Sequence, residues 1–176
     1  MTTLHFTNAR LIDPEGGTDA LGSLTVKAGV ILARDEAAPK GAKVVDCGGK
    51  CLAPGIVDLG VKIGEPGERH RESFGSAGAA AAAGGVTTII ARPDTTPAID
   101  TPEVLEFVTR RAAEAPVRIR HMAALTKGRD GREMVEIGFL RDAGAIAFTD
   151  VFRVSTEAKA ITRAMSLAEM VTRARM

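Results

Sequence analysis

The chain has 176 residues, 45% of them apolar and 26% charged, with a formal net charge of +1. So small a charge, in a chain without Trp or Tyr, leaves neither the basic stripe nor the stacking surface that a nucleic-acid binder needs. No apolar run approaches the roughly 20 residues that cross a bilayer, and the N-terminus lacks a basic start and an apolar signal core. The sequence therefore predicts a soluble, cytoplasmic protein with no nucleic-acid or membrane partner.

Residues 1–52 read as a small β segment. Leu4, Phe6 and Leu11-Ile12 precede the turn Asp13-Pro14-Glu15-Gly16-Gly17, and Leu24–Val26 and Val30–Leu32 flank Lys27-Ala28-Gly29 as a hairpin. Val44-Val45 then leads to a Gly-Gly-Lys turn between Cys47 and Cys51, the only cysteines, which are read as free thiols of a cytosolic protein.

Residues 53–176 change to alternating strands and helices. Strands are predicted at about Ile56 to Val61, Val86 to Ala91, Val117 to Ala124 and Ala145 to Phe148, with the short apolar runs of strands covered on both faces. Helices fall at about Glu72 to Ala83, Pro102 to Ala115 and Arg132 to Ala143, and a last one at roughly Ser155 to Arg173. Asp100 or Thr101 can cap the second helix, Pro102 suits its first turn, and Val104, Leu105, Val108 and Ala112 form its apolar stripe. The first ends at Gly84-Gly85, and its alanines let it lie close to a sheet. The fold class is α/β: a β-rich N-terminal segment followed by a partial, about four-unit, TIM-type β/α barrel. A complete barrel takes about 250 residues. Right-handed crossovers put four strands in sequential parallel order, leaving two open edges and an open inner face, so self-association or a partner subunit is predicted.

The most informative stretch runs from Ala53 to Pro97, APGIVDLGVKIGEPGERHRESFGSAGAAAAAGGVTTIIARPDTTP. It resembles the cyclic amidohydrolases, most closely the dihydroorotases and their non-catalytic relatives, and the likeness extends from residue 1 to about 150. In active members the first strand ends in Asp-x-His-x-His, with Arg two residues further on; here those positions hold Asp58, Gly60, Lys62 and Gly64. Two histidines at i, i+2 on a strand face the same way and can hold a metal. Gly60 offers no donor, and the Lys62 ammonium repels a cation by about 4 kcal/mol per unit charge at 4 Å and an effective dielectric of ~20. Gly64 cannot grip a substrate carboxylate as the family's arginine does.

The loop Arg92-Pro93-Asp94-Thr95-Thr96-Pro97 is similar to the family's Met-Pro-Asn-Thr-x-Pro, with Asp94 where Asn contacts the substrate carboxylate. Phe148-Thr149-Asp150 resembles the segment that supplies a bridging carboxylate, but Val151 replaces the second acid. The later ligands and the general base of the family have no counterpart before Met176. The resemblance thus implies a dihydroorotase-like protein of pyrimidine biosynthesis without a working metal centre, acting as a structural partner of aspartate carbamoyltransferase. No cofactor is expected, with Asp58 and Asp150 the residual metal-ligand candidates. One alternative is an active zinc-dependent cyclic amidohydrolase using Asp58, His121 and Asp150 or ligands from another chain; another is a nonfunctional fragment, suggested by the abrupt C-terminus.

Plainer roles are predicted for the remaining polar groups. Asp58 is read as a strand-end carboxylate bonded to nearby backbone. Glu65-Pro66-Gly67 and Arg71-Glu72 shape a turn and start a helix, and His5, His70 and His121 are structural or solvated. Lys62 and Asp94 are expected to pair across adjacent strands. Lys127-Gly128-Arg129-Asp130-Gly131-Arg132 lacks the spacing of a phosphate loop and is read as a solvated loop before a capped helix.

Overall fold

The computed structural model describes residues 2–153 and 157–173. Two compact units divide the chain, Met1–Pro54 and Gly55–Met176.

The first unit is a single sheet of β1 (Thr3–Asp13), β2 (Thr18–Lys27), β3 (Val30–Arg34), β4 (Lys43–Asp46) and β5 (Cys51–Leu52). Its order is β3-β2-β1-β4, with β5 also paired to β1. The Ala28-Gly29 turn, both residues at positive φ, closes the predicted hairpin with Lys27 opposite Val30. Inside the sheet His5 Nδ1 lies 2.8 Å from Thr25 Oγ1, which gives this buried imidazole a structural role.

The second unit holds β6 (Ile56–Val61), α1 (Phe74–Ala83), β7 (Val86–Ala91), α2 (Pro102–Ala112), β8 (Arg118–His121), α3 (Ile137–Asp142) and α4 (Ala158–Arg173). Strands β6, β7 and β8 are parallel and in sequential order. The Ser73 hydroxyl accepts from Ser76 N–H to start α1, and a Cβ on Gly78 would come within 2.8 Å of Pro116, which shows how closely this Ala-rich helix packs. Thr101 caps α2, while the other candidate, Asp100, accepts a hydrogen bond from Gly128 N–H at 2.7 Å. Leu105, Val108 and Ala112 of α2 are buried in one core with Phe74, Ala77, Ile89, Ala91 and Ile119. That core covers one face of the sheet. The opposite face, which a closed barrel turns inward, carries Val57, Leu59, Ile90, Arg118 and Arg120, with Leu59 72% exposed.

Several predicted elements are shorter than expected, β8 among them, which covers only Arg118–His121 of the predicted Val117 to Ala124. The segment Ala145 to Phe148 runs beside the continuation of β8, where Ile146 N–H donates to His121 O and Ala123 N–H to Ala147 O, but it forms only the isolated bridge Ala123–Phe148. The third helix begins at Ile137 rather than Arg132, because Thr126 bridges Met134 and Val135 N–H donates to Leu125 O, holding 132–135 in a loop. The last helix begins at Ala158; its predicted start at Ser155 lies outside the described residues.

Candidate functional site

The positions singled out in the sequence sit at the C-terminal ends of the parallel strands, where β/α barrels place their chemistry. Local backbone geometry decides what they can do there. Asp58 pairs in register with Ile89 and Val61 with Ala91, so four residues of β6 span the distance covered by three of β7. The extra residue is a bulge at Gly60, which has φ +81°. It shifts the alternation by one, so that Asp58 shares a face with Val61 and the next position, Lys62, falls on the other face. Asp58 and Lys62 therefore do not share a face.

Asp58 is exposed, and its carboxylate bonds no other group among the described residues, contrary to its reading as a backbone-bonded strand end. Lys62 does not pair with Asp94. Its Nζ lies 3.2 Å from Glu68 Oε2, because the turn after β6 folds back and Glu68 N–H donates to Gly64 O. Lys62 and Arg71 together hold the Glu68 carboxyl below its ordinary pKa. Gly64 lies inside that turn, where a Cβ would meet Glu68 O at 2.6 Å; a larger residue there requires a different turn.

Asp94 is instead claimed by its neighbour in sequence. Arg92 donates Nε and Nη2 to the two carboxylate oxygens at 3.1 and 2.9 Å, and both side chains are largely sheltered. The Arg92 guanidinium lies 4.8 Å from the centroid of the Phe152 ring, and its Cδ is 3.9 Å from where a Cβ on Gly60 would stand. Neither Arg92 nor Phe152 was singled out in the sequence. The signal for Arg92 was the i, i+2 spacing to Asp94, while its contact with Phe152, sixty positions downstream, has no sequence signature.

Asp150 is buried and fully engaged. Its Oδ1 accepts from the backbone N–H groups of Leu125 and Thr126, both at 3.0 Å, and its Oδ2 accepts from Thr126 Oγ1 at 2.7 Å. It ties the fourth strand position to the loop after β8, a positioning duty. Asp150→Ala is expected to lower stability by roughly 2 kcal/mol in urea denaturation, since hydrogen bonds to a charged group are worth ~1.5–3 kcal/mol and one of the freed donors can reach water. No measurable loss would show that the loop holds itself.

His121 packs against the opposite, helix-covered face, edge-on to Phe74 with ring centroids 5.6 Å apart. It is 2% exposed, and neither ring nitrogen has a partner among the described residues. Asp58, His121 and Asp150 thus do not gather, and no group of three His, Cys, Asp or Glu side chains able to hold a metal occurs among the described residues. The loop 127–132 has backbone donors already engaged within the protein: Gly128 N–H on Asp100, Arg129 N–H on Thr126 O and Gly131 N–H on Thr126 Oγ1. No helix among the described residues is long and apolar enough to cross a membrane.

Parallel β/α units with degenerate strand-end positions define a partial amidohydrolase-type barrel. Residues 49–174 match the family described as dihydro-orotase-like. A dihydroorotase of Anaplasma phagocytophilum is 42% identical over 156 residues, covering 84% of this chain and 34% of that protein. A dihydroorotase-like protein of Pseudomonas aeruginosa is 39% identical over 170 residues, covering 94% of this chain and 40% of its own length. Among solved structures, the L-hydantoinase (dihydropyrimidinase) from Arthrobacter aurescens matches with a TM-score of 0.71 and 27% identity, over 84% of this chain and 32% of that one. The chain belongs to the dihydroorotase-like family of amidohydrolases. It spans little more than a third of the length of these curated relatives.

The resemblance to active cyclic amidohydrolases implies zinc, and the donors at these positions do not fit it. Gly60 has no side chain, Lys62 is a cation held by Glu68, and Asp94 and Asp150 are engaged by Arg92 and by Leu125 and Thr126.

Proposed function

We propose that this chain is a dihydroorotase-like protein of pyrimidine biosynthesis that has no working metal centre and serves as a structural partner of aspartate carbamoyltransferase. The observation that carries this reading is the pair of replacements at the end of β6. A glycine stands in a bulge and an ion-paired lysine follows it, where the active relatives it resembles present two imidazoles. An amidohydrolase needs those donors to generate its nucleophile from bound water. Retention of the scaffold is then accounted for by binding. The open inner face of the β6-β7-β8 sheet, with Val57 and Leu59 exposed, supplies apolar surface of the kind that protein partners cover.

Three measurements on one purified sample test it: zinc content, hydrolysis of dihydroorotate, and co-sedimentation with the aspartate carbamoyltransferase of the same organism. Far less than one zinc per chain, no turnover and a stable complex are expected. Near-stoichiometric zinc with turnover overturns the inactive centre, and failure to co-sediment overturns the partnership.

A further inference from the structure

The open face of the β6-β7-β8 sheet carries charge of one sign. Register pairing lays two rows across it, Val57-Thr88-Arg118 and Leu59-Ile90-Arg120, each running from an apolar side chain on β6 to an arginine on β8. Burial alternates along β8, with Ile119 and His121 buried and Arg118 and Arg120 exposed. The one acid in these strands, Asp58, pairs in register with Ile89 and so belongs to the opposite face. Neither guanidinium has a hydrogen bond or ion pair among the described residues. Arg118 also lines a cleft of about 440 Å3 at the N-terminal end of β7 and β8, together with Gly85, Thr87 and Thr88, where the Thr88 hydroxyl is a further donor.

This pattern sets what covers the face. Val57 and Leu59 are 55% and 72% exposed, and burying them is favourable. A cover that does so also takes the arginines out of water, since β6 and β8 lie only about 10 Å apart, two strand spacings. A guanidinium withdrawn from water without a partner is destabilising, and a carboxylate is the partner that its planar fork fits. A second copy joined through the same face brings no carboxylate, because it repeats the two arginines. We infer that the protein segment covering this face presents two carboxylates beside an apolar strip, one for each arginine. Alternate side chains of a strand stand about 6.6 Å apart, so the carboxylates need a similar spacing. Glutamates at i, i+4 on a helix supply it, with a rise of about 6 Å. The charges then select and orient the partner, while the apolar strip supplies attraction. The acidic segment presupposes the scaffolding reading in one respect, that another protein covers this face.

Two amphipathic helical peptides test it, alike in a leucine stripe and differing only in whether glutamates or lysines at i, i+4 flank that stripe. Binding of each is measured by calorimetry to the full chain, to the double variant Arg118→Gln with Arg120→Gln, and to Lys27→Gln in the first unit as a control. The glutamate peptide is expected to bind the parent at least about tenfold more tightly than the lysine peptide, a preference lost in the double variant and kept in the control. No preference, or one that survives loss of both arginines, overturns the inference. Tighter binding of inorganic polyphosphate than of the glutamate peptide also overturns it, because the face is then a receptor for polyanions. Should the double variant unfold, the parent chain decides: its preference must shrink at least about threefold between ~50 and ~500 mM sodium chloride, and a smaller change overturns the inference equally. Co-sedimentation with the aspartate carbamoyltransferase separates this outcome from the scaffolding reading. A parent chain that prefers the glutamate peptide but does not co-sediment loses that partner and keeps an acidic one. A complex as tight with the double variant as with the parent overturns the acidic contact and leaves the partnership.

Discussion

Replacing Glu65 with alanine is expected to lower the unfolding free energy by about 3 kcal/mol, because this buried carboxylate joins three elements. Its Oε2 accepts from Phe74 N–H at 3.2 Å, at the first residue of α1, where the helix dipole favours a negative charge. Its Oε1 accepts from Arg111 Nε at 3.0 Å, in the last turn of α2, and Arg69 approaches at 3.8 Å. The carboxylate is 6% exposed and Arg111 only 34%, so truncation leaves a partly sheltered guanidinium and a helix-terminal donor without their acceptor. Glu68→Ala is the control. Its partners Lys62 and Arg71 are 46% and 68% exposed, and such surface pairs are worth ~0–1 kcal/mol. Urea denaturation of both variants at neutral pH distinguishes them; a Glu65 loss no larger than the Glu68 loss would show that the bridge does not hold the helices.

Glu65 also marks where reading the sequence stops. The Glu-Pro-Gly string reveals a turn, since Pro fixes φ and Gly67 admits the positive φ the turn uses, but the partner Arg111 is 46 positions away on another helix. Local rules carried the Ala28-Gly29 hairpin, the Thr101 cap, the buried stripe of α2 and the sequential parallel strands, because period, caps and turns are properties of neighbouring residues. They failed for β6. A period of two puts Asp58 and Lys62 on one face, and a single bulge at Gly60 separates them. The pairing of Lys62 failed for a related reason. The two substituted positions suggested each other as partners, whereas Glu68 and Arg92 lay closer along the folded backbone to Lys62 and Asp94 respectively. The loss of the two imidazoles needed no structure to see; the way Arg92, Asp94 and Phe152 fill the vacated corner did.

Stability is further expected to fall by about 3 kcal/mol as the pH drops from about 6.5 to about 4, through His121. Burial, with neither ring nitrogen hydrogen-bonded among the described residues, lowers the imidazole pKa from 6.5 to about 4. In the unfolded chain the ring regains its ordinary value. Between those two pH values the unfolded state therefore binds the proton that the folded state refuses, and stability rises with pH across the window. Above about 6.5 both states are neutral at this position and its contribution is flat; below about 4 both are protonated and the loss is complete. His121→Leu removes the titration and two unpaired polar atoms from beside Phe74, each of which costs ~1–3 kcal/mol when buried without a partner. The variant is expected to be more stable than the parent by about 1 kcal/mol at pH 7, after some loss of packing around the new side chain, and nearly insensitive to pH from 6.5 to 4.5. Urea midpoints measured every half unit across that range decide the matter. Parallel curves for parent and variant would mean that another group carries the acid sensitivity and that the imidazole is solvated within the fold.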